Sequence, residues 1–294
     1  MESLNPLLRR LGFSAGDRVV LLHADDLGMC QATIPAFAEL LEAGLVSTGS
    51  VMVPSPWFSA VAVFCRGNPA ADVGVHLTLT SEWQGYRWRP VSTRDPATGL
   101  VDAEGYLHAR TPAVADGADP AAVRSEIEAQ MDLARRAGID VTHADTHMLT
   151  LLAPRLLAVF REAAEGWALP VPMLSPAREV APLSAGSAAE EVAGLLGRRG
   201  AWPAVCDHWV TLRLRRPEDR LAQAKRLFDA LPPGLTQVSI HPALDTPELR
   251  AIAPDWRCRV ADWQTFRSGE LRDHLRRTGI QVIGYRAVRE AAAG

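Results

Sequence analysis

A chain of 294 residues that is 48% hydrophobic, with 31 basic against 34 acidic side chains and a formal charge of -3, carries enough apolar content for one large core. Its mild negative balance, without any block of about five or six like charges, lacks the footprint of nucleic-acid or anionic-lipid binding. No apolar stretch reaches the roughly 20 residues that span a bilayer, and no secretory leader pattern opens the chain, so a cytoplasmic protein with no membrane span and no nucleic-acid partner is expected. The four cysteines, Cys30, Cys65, Cys206 and Cys258, lack CxxC spacing and read as reduced thiols.

The first apolar run, Arg18 to His23, predicts a buried strand, followed by a helix over 31–43 with Ile34, Phe37, Ala38 and Leu41 on one face and Gly44 as its stop. A short run at 49–53, a helix near 56–66 and a strand over 72–79 complete three β-α units, which implies parallel strands with right-handed crossovers. From 81 to 120 the pattern dissolves into Gly, Pro, Asp and aromatic residues, including Trp83, Tyr86, Trp88 and Tyr106. A segment of that kind inside a compact domain predicts a functional lid or substrate wall, although its aromatics serve equally well as apolar anchors.

Periodicity returns in a helix over 120–137 stopped by Gly138, a strand over 140–144, a helix near 154–165 and a further strand over 169–173. The stretch 175–204, rich in Ala, Gly and Pro, has no clear element. Strands are predicted at 205–212, 237–241 and 281–285, with helices near 217–231 and 264–277. No GxGxxG or GxxxxGK[ST] motif accompanies these six to eight units, which argues against dinucleotide-binding and P-loop folds. A single-domain α/β chain over residues 1–294, built as a distorted TIM-like barrel, fits better. Functional groups then belong at the carboxyl ends of the strands.

Those ends supply Asp25-Asp26, His76, the segment His143-Ala144-Asp145-Thr146-His147, and His241-Pro242. One carboxylate with two imidazoles is a common ligand set for Zn²⁺ or a related divalent ion, with positions left open for chemistry. Successive strand residues face opposite ways, so Asp25 and Asp26 have different tasks unless the chain turns there: one binds metal and the other accepts a proton. Asp145 is placed to orient an imidazole by accepting its second N–H.

Each feature also has a structural reading. His76 alone can be a satisfied core residue, Asp25-Asp26 can cap the next helix, His143 and His147 can form a polar turn, and His241-Pro242 can end a strand. The coincidence of four such strand ends favours joint function. His108, His208 and His274 lack that company and read as structural, and the Arg213–Arg216 and Arg276-Arg277 stretches as solvated helix flanks.

With these residues in view, the chain resembles the YdjC-like carbohydrate deacetylases, the family of chitooligosaccharide deacetylase and of a hopanoid-biosynthesis deacetylase. The resemblance rests on His23-Ala24-Asp25-Asp26-Leu27-Gly28 for N-A-D-D-F-G, Gly74-Val75-His76-Leu77-Thr78-Leu79-Thr80 for G-x-H-x-x-L-T, His143-Ala144-Asp145-Thr146-His147 for H-x-D-S-H, and Ile240-His241-Pro242 for the late H-P. Arg259-Val260-Ala261-Asp262 and the closing Ile283-Gly284-Tyr285-Arg286 resemble the family's ending. The resemblance implies a divalent metal, Zn or Mg, held by Asp26, His76 and His147, with Asp25 as general base and His241 as general acid. It implies supporting or substrate-contacting roles for His143, Asp145 and Arg259, and an N-acetylated sugar or glycoconjugate as substrate. His23, Leu27 and Thr146 depart from the family's Asn, Phe and Ser, and Met148-Leu149-Thr150 replaces a histidine-rich tail.

A metal-dependent phosphoesterase is the rival enzyme reading, although it normally needs a second metal and more carboxylates. A non-catalytic carbohydrate-binding barrel is the rival from another class. A homodimer is the default assembly.

Overall fold

The computed structural model describes residues 5–174 and 204–293. At its centre runs β1, Arg18–Leu27. Val19, Val20, Leu21 and Leu22 are all fully buried, because a parallel strand covered on both faces has no solvent side to alternate toward. Beside it lie β2 (Thr48–Val51), β3 (Val73–Leu77) and β4 (Val141–Thr146), and on its other edge β8 (Gly234–Ile240) and β7 (His208–Thr211). The order is β4-β3-β2-β1-β8-β7, every pairing parallel.

The last strand, β9 (Ile280–Ile283), pairs with residues Arg18 to Leu21 of β1, below the point where β2 takes over at His23. A separate parallel pair, β5 (Val171–Leu174) and β6 (Ala204–Cys206), stands beyond β4. Helices surround this curved sheet as a half-barrel, so the fold is the expected distorted TIM-like α/β barrel. The predicted featureless stretch 175–204 lies outside the described residues except for Ala204.

Helix α1 is a short turn, Pro6–Arg10. Helix α2 spans Thr33–Ala43 and ends at Gly44, whose φ of 72° is the left-handed cap that favours glycine. It buries Ala36, Phe37 and Leu40 fully and leaves Ile34 and Leu41 half-buried, a stripe rotated by about one residue from the expected one. Helices α3 (Phe58–Gly67), α5 (Pro120–Arg136), α6 (Pro154–Trp167) and α7 (Arg220–Asp229) fall where periodicity puts them. Asp119 caps α5 by accepting the Ala121 N–H at 3.0 Å, with Pro120 at the first helical position.

Four segments differ from expectation, the first being the strand predicted over 205–212, which is split into β6 of the two-stranded pair and β7 of the main sheet. The helix predicted over 264–277 is two helices, α9 (Trp256–Phe266) and α10 (Gly269–Arg277), because the Ser268 hydroxyl accepts the Leu271 N–H at 3.2 Å and starts a new N-terminus. A one-and-a-half-turn α8 (Pro247–Ile252) precedes them. The final strand stops at Ile283, and α11 (Tyr285–Ala293) follows it.

The excursion at 81–120 is ordered by specific anchors. It contains α4 (Thr111–Gly117) and the bridges Trp83 to Tyr86 and Val101 to Leu107. Fully buried Glu126 of α5 accepts the backbone N–H groups of Val91 and Ser92 at 2.9 and 2.7 Å. Trp88 is buried and donates its indole N–H to the Thr80 carbonyl, while the Tyr86 hydroxyl donates to the Met29 carbonyl. Trp88 and Tyr86 are therefore anchors, as one of the two readings holds. No helix among the described residues is long and apolar enough to cross a membrane.

Candidate metal centre

Asp25 and Asp26 close β1, where the pairing with β2 is irregular between Ala24 and Leu27. Asp26 has φ 64° and Gly28 φ 86°. A left-handed residue at a strand end turns the chain sharply and re-aims the side chain, which resolves the opposite-face problem of two adjacent aspartates. Gly28 has a second constraint, since a Cβ there would lie 3.0 Å from the Ser55 hydroxyl oxygen. His76 ends β3, and His147 follows β4 at the start of a turn in which Met148 and Leu149 take φ of 52° and 56°. That turn carries His147 off the sheet.

The result is a buried triad. Asp26 Oδ1 lies 3.4 Å from His76 Nε2 and 3.2 Å from His147 Nδ1, and the three atoms fall within 4.8 Å of one another. Neither contact satisfies hydrogen-bond geometry, and Asp26 Oδ1 is a buried oxygen without a partner. Ligand atoms bonded tetrahedrally at about 2.0–2.1 Å stand roughly 3.3 Å apart. The spacing and the N₂O donor set thus fit a divalent ion of the zinc type, and the ion would satisfy the orphaned oxygen.

Each donor is held from behind. His76 shares a hydrogen bond of 2.8 Å between Nδ1 and Asp145 Oδ1, and the Ser50 hydroxyl donates to Asp145 Oδ2. His147 Nε2 faces Glu82 Oε1 at 2.9 Å, and Arg259 Nη1 donates to Asp26 Oδ2 at 2.8 Å. Arg259 is fixed in turn by Asp255, the N-cap residue of α9. Such carboxylate partners set the orientation and basicity of imidazole ligands.

Burial alone would raise the Asp26 carboxyl, but the Arg259 guanidinium and then the two histidines reverse this and hold it well below the usual carboxylate range. Burial likewise opposes charge on His147, yet Glu82 and Asp26 lift it to about 9. For His76, Asp145 leads the groups that overcome burial and raise it well above the usual imidazole range.

Beside the triad, His241 Nε2 stands 3.6 Å from Asp25 Oδ2, too far for a hydrogen bond. The backbone N–H of His241 donates to Asp262 Oδ2 at 3.0 Å, and buried Arg220 donates to Asp262 Oδ1 at 2.6 Å. His143 is turned away from the triad, with its Nε2 2.8 Å from His23 Nε2. A Cβ at Gly74 would lie 2.6 Å from three atoms of the His143 ring. Gly74→Ala is therefore expected to lower the free energy of unfolding by about 1–3 kcal/mol through overpacking, measured by chemical unfolding.

The structure thus groups Asp26, His76 and His147, sets Asp25 and His241 on their rim, places Asp145 and Arg259 behind the triad, and directs His143 into a separate buried cluster. Sequence reasoning missed Glu82, Ser50, Asp255 and Arg220. Glu82 sits alone in an irregular loop, where no spacing marks it. The His108 carbonyl accepts the Ser81 N–H, and His274 pairs with Asp229 at the surface.

A parallel α/β barrel that gathers its polar centre at the carboxyl ends of its strands has the layout of the barrel enzymes. The chain belongs to the YdjC-like protein family, whose sequence profile matches residues 19–277. A carbohydrate deacetylase of Thermus thermophilus is 38% identical over 288 residues, covering 97% of this chain and 98% of that protein. A carbohydrate deacetylase of Thermoanaerobacter pseudethanolicus is 27% identical over 154 residues, covering 52% of this chain and 59% of that protein. Among solved structures, a candidate cellobiose-phosphate cleavage protein of Enterococcus faecalis superposes with a TM-score of 0.76 at 21% identity, covering 92% of this chain and 99% of that one. This last likeness concerns the fold.

Proposed function

We propose that the chain is a metal-dependent hydrolase that removes acetyl groups from N-acetylated sugars. One observation carries the reading: a buried, unpartnered Asp26 oxygen flanked by two imidazoles at ligand spacing, next to a carboxylate and a histidine that do not bond each other. Similarity to the Thermus carbohydrate deacetylase along nearly the whole chain supports the substrate class.

Asp26, His76 and His147 would hold a Zn²⁺ or Mg²⁺ ion. Bound there, the ion supplies Lewis-acid polarisation of an acetamide carbonyl and acidifies water. Asp25, with Oδ2 facing the rim, accepts the proton of the attacking water. His241, protonated, delivers a proton to the departing amine, which leaves poorly without one. Asp262 and Arg220 fix the backbone from which His241 reaches in. Glu82 and Asp145 keep the two imidazoles aimed, and Arg259 offsets the charge of two neighbouring aspartates.

The test is acetate release from a panel of N-acetylglucosamine-containing substrates with Zn²⁺, Mg²⁺, Co²⁺ or Ni²⁺. Release that depends on added metal is expected. No release from a loaded protein across the panel would favour the sugar-binding barrel, and two ions per chain would favour the phosphoesterase. A homodimer in the cytoplasm is the proposed setting.

Metal and protons compete for the same imidazoles. In the metal-free protein, neighbouring carboxylates keep His147 protonated up to about pH 9, so a metal ion must displace a proton. Apparent affinity should therefore rise with pH from 6 to 9, by about tenfold per unit for each proton displaced. Competition with a chelator at several pH values measures this, and a flat profile would overturn it.

A further inference from the structure

Behind Asp25 runs a buried chain of hydrogen bonds that the reaction as described does not use. Asp25 Oδ1 faces His23 Nδ1 at 2.6 Å, His23 Nε2 faces His143 Nε2 at 2.8 Å, and His143 Nδ1 faces Thr142 Oγ1 at 2.9 Å. Thr142 then donates to Asp72 Oδ1. Asp72 also accepts from the Thr48 hydroxyl at 3.2 Å and from the Arg286 backbone N–H at 2.7 Å. His23, Thr142 and His143 are fully buried. The Tyr285 ring stacks on His143 with centroids 3.9 Å apart, and its hydroxyl donates to Gln237.

The direction of this chain follows by elimination. A hydroxyl has one hydrogen, and Thr142 spends it on the Asp72 carboxylate, which can only accept. His143 Nδ1 must then carry the hydrogen in its contact with Thr142. Burial, and next the neighbouring His23, hold His143 well below the usual imidazole range, so it has that single N–H and its Nε2 is bare. His23 must therefore supply the hydrogen between the two rings from its own Nε2. His23 Nδ1 meets Asp25 Oδ1 at 2.6 Å, so the imidazole holds that carboxylate oxygen in place.

We infer that His23 is a positioning residue for the proton acceptor: the relay Asp72–Thr142–His143 fixes its tautomer and ring, so that His23 pins Asp25 Oδ1 and leaves Oδ2 as the accepting face. The role rests on the deacetylase reading of Asp25. It belongs to a position where this chain has His23 in place of the Asn of the motif it resembles. An amide there would leave the bare His143 Nε2 in a different bond and the carboxylate under weaker constraint.

The test has a spectroscopic and a kinetic arm. In ¹⁵N-labelled, zinc-loaded full-length protein, side-chain nitrogen shifts should show His143 protonated at Nδ1 only and His23 protonated at Nε2. A His143 protonated at Nε2 overturns the relay. His23→Asn should lower kcat by roughly 10–100-fold, the usual cost of losing an outer partner, with KM and bound metal unchanged. Thr142→Val, nearly isosteric, should lower kcat in the same direction by less, and it decides the question should His23→Asn fail to fold. Unchanged kcat in either folded variant, or a fall accompanied by metal loss, overturns the positioning role. A wild-type protein that releases no acetate defeats the deacetylase reading alone, because the nitrogen shifts still decide the relay.

Discussion

Asp26→Ala and His147→Ala are each expected to purify without stoichiometric metal, measured by elemental analysis after supplementation with zinc. The two variants should nevertheless differ in stability. Asp26 is the buried partner of Arg259 at 2.8 Å, both being almost completely shielded from solvent. Removing one member of such a pair costs about 3–5 kcal/mol, because the remaining charge is stranded. Asp255, itself partly exposed, still holds the Arg259 guanidinium, which places the loss at the lower end. His147→Ala leaves that pair intact. In chelator-treated samples, Asp26→Ala should therefore melt well below His147→Ala, and stoichiometric metal in either variant would refute the ligand set.

The second large effect concerns turnover with metal in place. Asp25→Asn and His241→Ala should each lower kcat by about 10² to 10⁴, the usual contribution of a general base or acid, equivalent to roughly 3–5 kcal/mol of barrier. Both side chains stand beside the triad without forming it, so metal content should stay at the wild-type level. The combination of lost rate and retained metal separates these two residues from the ligands. A fall below about tenfold in Asp25→Asn would remove it from the role of proton acceptor.

The barrel was legible because its strands announce themselves: a run such as Val19-Val20-Leu21-Leu22 ending in polar groups has few other homes. Asp25, Asp26, His76, His147 and His241 were legible for the same reason, since they fall at or just beyond strand ends. Their division of labour was less so. His143 and His147 are four apart in one segment, yet one turns inward to His23 and the other leaves the sheet on a left-handed turn that no periodicity encodes. Arg259 came into view through resemblance, and its partner lies 233 residues away in sequence, beyond the reach of any local pattern. Ser268, by contrast, is a favoured N-cap residue type that marks the break between α9 and α10. Continuous helical periodicity across 264–277 masked it.

The excursion after β3 touches the triad at Glu82 against His147 and its supporting Arg259 at Trp83, whose ring centroid lies 5.8 Å from the guanidinium. On the proposed metal reading, folding of this excursion and loading of the ion would be thermodynamically linked, each changing the other by the same factor. Zinc should slow protease cleavage within residues 81–110, and cutting that segment should weaken zinc binding, so that the cover reports on the cargo beneath it.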